Sequence, residues 1–172
     1  NFNPMFQYGI KFKDDPEFIK DCIQDVFFKL IRSGKKLSAT ENIRFYMFRA
    51  LKNTIYKELN KQQRIEHFEN APLNFEASFS LELELAEKEN LNHKEKALVE
   101  ALSELSDRQR EIIYLRYECG MGYDQICAIM ELKNDSARKL VFRAIKSLKE
   151  IIESQLKFPI LFTFSLFKKH AL

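Results

Sequence analysis

Between positions 134 and 149 the chain sets Asn134, Ser136, Arg138, Lys139, Arg143, Lys146 and Lys149 around a helical repeat. Ala137, Leu140, Val141, Ala144, Ile145, Leu148 and Ile152 form an apolar stripe on the other side. Amide, hydroxyl and guanidinium groups near a helix N-terminus can hydrogen-bond base edges, and cations further along can neutralise phosphates. A B-form major groove admits one α-helix, so this pattern suits duplex DNA. An ordinary helical hairpin with a solvated basic face would look the same over these residues alone.

A second group has a different chemistry. On a helix predicted from Glu41 to about Arg64, one face mixes Phe45, Arg49, Lys52, Asn53 and Tyr56. The other buries Ile43, Met47, Ala50, Leu51, Ile55 and Leu59, with Tyr46 close to it. Aromatics interleaved with cations can stack single-stranded bases while tracking the backbone. The competing reading is that Phe45 and Phe48 pack against the preceding loop. A third group, Asp21, Gln24 and Asp25, lies on the polar side of a helix predicted from Asp15 to Ile31. Its apolar side carries Ile19, Cys22, Ile23, Val26, Phe27 and Leu30.

These groups need helices to position them. The chain has 172 residues with four Gly, four Pro and no Trp, which excludes a turn-rich β protein and predicts an all-α one of one or two small domains. Asp15-Pro16-Glu17 starts the first long helix, with an N-cap acceptor, a proline at N1 and an acid at the positive helix end. Ser33-Gly34 ends it, and Thr40 is the predicted N-cap of the next. Asn92-x-x-Glu95 and Ser106-x-x-Gln109 read as capping boxes. Tyr123, Ile126 and Met130 mark the buried face of a short helix, and Lys133-Asn134-Asp135 supplies the turn and N-cap before the basic one. The result is a helix-turn-helix over 120–152.

Charge is distributed unevenly. The formal net charge is only +3, but Arg44, Arg49, Lys52, Lys57, Lys61 and Arg64 are opposed only by Glu58, and 133–149 is similarly basic. An acidic stretch over 76–100 separates the two. Two surfaces for a polyanion follow. The predicted organisation is a domain over 1–64, an acidic linker over 65–91, a helix-turn-helix domain over 92–157 and an apolar tail over 158–172. The tail's ten-residue apolar run is too short to span a bilayer, which takes about 20 residues, so no membrane span is expected.

Several functions are disfavoured. Cys22, Cys119 and Cys127 have no CxxC spacing and no adjacent histidines, so they read as reduced thiols rather than metal ligands. No nucleophile elbow, glycine-rich phosphate loop or cofactor motif is present, so no enzyme and no cofactor are expected. No secretory signal opens the chain, which makes a cytoplasmic location the default. Phe2 to Phe12 has the apolar content of a helix end without its beginning, so the first domain is expected to lack its first helix.

Two blocks in fixed order carry a family resemblance. Asp21-Cys22-Ile23-Gln24-Asp25-Val26-Phe27 and Tyr46-Met47-Phe48-Arg49-Ala50-Leu51-Lys52-Asn53 resemble the second conserved region of bacterial sigma factors of the extracytoplasmic-function group. Leu105-Ser106-Asp107-Arg108-Gln109-Arg110-Glu111-Ile112, Tyr123 to Met130 and Arg143-Ala144 resemble their fourth. The resemblance covers most of 14–150. It departs at Tyr46, where the family usually has tryptophan, at Cys127, usually alanine, and near Glu131, usually a turn glycine.

The resemblance implies a subunit that binds core RNA polymerase and directs it to promoter DNA. It implies that Asp21, Gln24 and Asp25 contact polymerase, and that Asn53, with Lys52 and Tyr56, lies against the single-stranded −10 element. Leu37, in the 35–40 loop, falls where the family captures a flipped base. Asn134, Ser136, Arg138 and Lys139 match positions facing the −35 element, with Arg143 and Lys146 on phosphates. An anti-sigma factor is the implied further partner. On this basis the single-strand reading of Lys52 and Asn53 is favoured, Tyr46 is expected in the core, and a stand-alone helix-turn-helix regulator is the alternative.

Overall fold

The computed structural model describes residues 2–32, 43–65, 75 and 93–156. Leu37 and the 35–40 loop, Thr40, the Asn92 cap and the 158–172 tail lie outside them, as does the 65–91 linker apart from Ile65 and Phe75. The fold is all-α, in two compact units, Asn1–Glu76 and Ala77–Leu172. Among the described residues every regular element is a helix: α1 (Phe2–Ile10), α2 (Pro16–Arg32) and α3 (Ile43–Ile65) in the first unit, α4 (His93–Ser103), α5 (Asp107–Ile113), α6 (Tyr123–Met130) and α7 (Asn134–Leu156) in the second. A π-helical turn, Tyr114–Glu118, continues α5.

In the first unit α1 packs on both α2 and α3. The stretch read as the end of a helix is helical, Phe2–Ile10, and stands in front of α2. The two come close at Gly9, where a Cβ would lie 2.5 Å from Ile19 Cγ2, so α1 can seat on α2 only through a glycine. Asp15 caps α2: Phe18 N–H donates to its Oδ1 at 3.1 Å, which, with Lys13 next, holds its carboxyl below the usual carboxylate range. Ile19, Cys22, Ile23 and Val26 are buried as expected. Phe27 is not: with α3 covering only one side of α2, it stands 37% exposed.

On α3, Met47, Leu51, Ile55 and Leu59 are buried, together with Phe48. Two expectations fail here. Ile43, at the helix start, is exposed, and Tyr46 is 48% exposed rather than in the core. Phe48 takes the inner position two residues on, its ring 5.0 Å from that of Tyr8. The aromatic core continues through Phe12, and it includes Phe75, whose ring lies 5.0 Å from that of Phe12. Phe75 sits in the stretch read as linker, yet it is 2% exposed, because a large ring removed from water outweighs the ordering of one residue.

In the second unit α7 packs on α4, α5 and α6. Its stripe is inside: Ala137, Val141, Ala144, Leu148 and Ile152 are buried, and Leu140 and Ile145 half-buried. The Ser106 backbone N–H and hydroxyl both donate to Gln109 Oε1, at 3.0 and 2.8 Å, opening α5 as its sequence predicts. The π turn adds a residue to the helical register, with Cys119 N–H reaching Tyr114 O at 3.0 Å. Gly120 then reverses the chain at φ +64°.

Candidate nucleic-acid interface

α6 ends on Glu131 in the left-handed region, φ 54° and ψ 50°, where its N–H bonds Cys127 O. This conformation usually falls to glycine, and here it turns the chain sharply enough to start α7 three residues later. α7 begins at Asn134, with Ala137 N–H bonded to Lys133 O, so the helix starts within the Lys133-Asn134-Asp135 stretch expected to supply its turn and cap. Burial of the Ala137 to Ile152 stripe turns Asn134, Ser136, Arg138, Lys139, Arg143 and Lys146 outward, and all six are exposed on the helix.

These cations are not equivalent. Lys146 and Lys149 make i,i+4 pairs with Glu150 and Glu153 at 3.6 and 3.7 Å. Such exposed pairs are worth only about 0.3–0.5 kcal/mol and yield readily to a phosphate. Lys139 and Arg143 have no acidic partner among the described residues. Arg138 is the most constrained: its Nε donates to Asn134 Oδ1 at 2.7 Å and its guanidinium lies 4.6 Å from the Tyr123 ring centre. Tyr123, expected in the core face of α6, is only half-buried, because this stacking holds it at the rim. Phe142 was missed. At 69% exposed it projects among the cations of α7, one position off the apolar stripe, and only the turn of the helix reveals it.

The first unit offers a different surface. Between α2 and α3 runs a groove of about 260 Å³, floored by Val26, Leu30 and Ala50 and edged by Lys29, Lys57, Tyr46, Asn53 and Thr54. Lys29 Nζ sits 3.4 Å from Thr54 Oγ1, spanning the two helices. Asn53 is exposed at this groove. Lys52 and Tyr56 are half-buried beside one another, the ammonium 5.7 Å from the ring centre, and Tyr56 meets Phe12 edge-on at 5.7 Å. Of the residues expected at the −10 element, Asn53 thus lines the groove together with Tyr46, Lys52 and Tyr56 stand beside each other outside its lining, and Leu37 lies outside the described residues.

Asp21, Gln24 and Asp25 are exposed on α2. Helical spacing puts Phe28 and Ile31, 54% and 75% exposed, on the same side. Neither was expected there from the sequence, and both break the expected polar character of that face. Beneath it, burial first and then Glu58, Asp25 and Asp21 push the Cys22 thiol up to about 11, which leaves no thiolate for chemistry at neutral pH. Among the described residues no group of His, Cys, Asp and Glu could hold a metal ion, and no helix is long and apolar enough to cross a membrane.

Two family models match the chain, sigma-70 region 2 over residues 4–65 and sigma-70 region 4 over residues 95–148. They fall on the two surfaces just described. The chain belongs to the extracytoplasmic-function group of the sigma-70 family. It is similar to RNA polymerase sigma factor SigV of Bacillus subtilis (strain 168), 26% identical over 141 residues, 82% of this chain and 77% of the relative. In fold it is similar to the sigma factor RpoE from Bartonella quintana, solved in complex with the anti-sigma factor NepR. The TM-score is 0.58 at 21% identity, covering 88% of this chain and 91% of that one. As a sigma factor the protein recognises promoters for transcription initiation, and the stand-alone regulator is not favoured.

Proposed function

We propose that this sigma factor divides promoter recognition between its two units: α7 reads the −35 duplex, and the α2–α3 groove with Asn53 holds non-template single strand at the −10 element. The run of Arg138, Lys139 and Arg143 on the outer face of α7, without acidic partners among the described residues, carries this reading. Ser136 and Arg138 occupy the first turns, where a helix in the major groove meets base edges. Arg143 and Lys146 lie further along, where the cations of a helix in the groove would meet phosphates. Lys52, Asn53 and Tyr56, joined by Tyr46, supply cation, amide and ring for unstacked bases. Leu37 belongs to the same proposed group.

The exposed side of α2 is the proposed seat of core RNA polymerase. Asp21, Gln24 and Asp25 give charge and hydrogen bonding, and Phe28 and Ile31 give apolar area, the mixture of a protein interface core and its rim. The protein then works in the cytoplasm, where polymerase is, and performs no reaction of its own. Because the similar RpoE is solved with the anti-sigma factor NepR, an anti-sigma protein is the proposed regulatory partner.

Reconstitution with core polymerase tests the whole. A stable complex giving promoter-dependent transcripts is expected, and Asp25→Arg should weaken polymerase binding without changing which promoters are chosen. Failure to form any complex would overturn the proposal.

A further inference from the structure

At the junction of α6 and α7 a chain of side-chain contacts ends on Arg138. Asn134 Nδ2 donates to Asp124 Oδ1 at 3.1 Å, and Asn134 Oδ1 accepts from Arg138 Nε at 2.7 Å. The Arg138 guanidinium lies 4.6 Å from the centre of the Tyr123 ring. The same ring carries Arg116 at 5.1 Å, and Arg116 Nη1 donates to Met121 O at 2.8 Å. The groups that hold Arg138 are therefore anchored mainly on α6 and the loop before it.

Two consequences follow from this geometry. Arginine carries large rotamer freedom that binding must otherwise remove, and a guanidinium clamped at Nε and stacked on a ring has lost much of it beforehand. With Nε engaged, the two terminal nitrogens have no hydrogen bond among the described residues, and a pair of parallel N–H donors is what the O6 and N7 edge of guanine accepts. Lys139 and Arg143 have no comparable restraint among the described residues. Asn134, for its part, spends both ends of its amide inside the protein.

We propose that Asp124, Asn134 and Tyr123 are positioning residues that present the Arg138 guanidinium to a guanine of the −35 duplex. Asn134 then acts through Arg138 and is not a base reader, although its place at the start of α7 suggests one. The inference rests on α7 being the −35 reader.

The test is promoter choice by the reconstituted holoenzyme from a library randomised across the −35 element. Arg138→Ala should erase a guanine preference at one position, about 5- to 150-fold. Asp124→Ala and Asn134→Ala should weaken that same preference roughly 2- to 10-fold, and add nothing once Arg138 is alanine. Asp124→Asn removes the same charge as Asp124→Ala but keeps an acceptor for Asn134. Both should raise non-specific DNA affinity alike, while only the alanine weakens the guanine preference. Likewise Tyr123→Phe should keep the preference and Tyr123→Leu should lose it. The conservative variants guard against loss of folding. If Asp124→Ala and Asp124→Asn behave identically, or if their effects add to that of Arg138→Ala, the positioning role is overturned. If Arg138→Ala changes no position, the assignment of Arg138 as a reader fails first, and the relay with it.

Discussion

The cations of α3 and those of α7 are similar in number and type but are displayed differently. On α7, Lys139 and Arg143 project from the side away from the apolar stripe and meet no ring among the described residues, while Arg138 at the helix start lies on the Tyr123 ring. On α3, Arg44 lies 6.0 Å from the Phe48 ring centre and Lys52 lies 5.7 Å from that of Tyr56. The first arrangement can enter a groove between two phosphate backbones. The second sets the partly exposed rings of Tyr46 and Tyr56 among charges, which suits bases already out of the duplex. The same residue types can therefore serve duplex or single strand according to how cations and rings are set out around them.

The strongest challenge to this contrast is to remove the aromatic core that shapes the first surface. Phe48→Ala should cost about 3–5 kcal/mol, and it should abolish binding to promoter DNA with an unpaired −10 strand. Thermal unfolding by circular dichroism should show a lowered transition. Loss of −35 duplex binding by the isolated chain to the same extent would argue against separate surfaces.

Tyr56→Ala comes next. If its ring stacks a base, affinity for single-stranded −10 oligonucleotide should fall by about 1–3 kcal/mol with duplex −35 affinity unchanged. An equal loss on both probes would erase the distinction. Lys146→Ala sharpens the other side: the slope of log affinity against log salt for duplex DNA should fall by about 0.9 if it neutralises one phosphate, with little change in sequence preference. An unchanged slope would mean that Lys146 stays with Glu150.

Glu131→Gly tests the turn that aims α7. The left-handed conformation costs a side-chain-bearing residue about 1–2 kcal/mol, and glycine's added entropy costs about 0.5–1 kcal/mol. A gain of up to about 1 kcal/mol in the stability of the second unit is therefore expected on denaturant titration. The smallest effect concerns pH. Asp15 has its carboxyl pKa lowered in the folded chain, so the stability it adds is present above its unfolded value of 3.8 and is lost as pH falls through the lower folded one. Asp15→Asn should flatten that acid dependence, read from amide exchange in the first turn of α2.

Much of this was legible beforehand because it is local. The Asp15-Pro16 start of α2, the Ser106 and Gln109 box and the apolar stripe of α7 depend on residues within a turn or two of each other, and helical periodicity alone turns Arg138, Lys139 and Arg143 outward. Errors came where burial depends on what lies opposite. Tyr46 and Phe48 are two residues apart, and periodicity cannot say which of them meets Tyr8. Phe75 looked like linker because nothing near it in sequence forms a pattern, and its partners Tyr8 and Phe12 are more than sixty positions away.

The sequence by itself determined that the chain is helical, that its two basic segments lie on separate helices, and which family it joins, since types and spacing along one helix suffice for these. Only the tertiary structure decided that Phe28 and Ile31 stand exposed beside the acids of α2, that Tyr46 faces the groove with Asn53, and that Asn134 turns toward Asp124 and Arg138. Each of these depends on which neighbours remove a side chain from water or meet its hydrogen bonds, and apart from Arg138 those neighbours come from other helices.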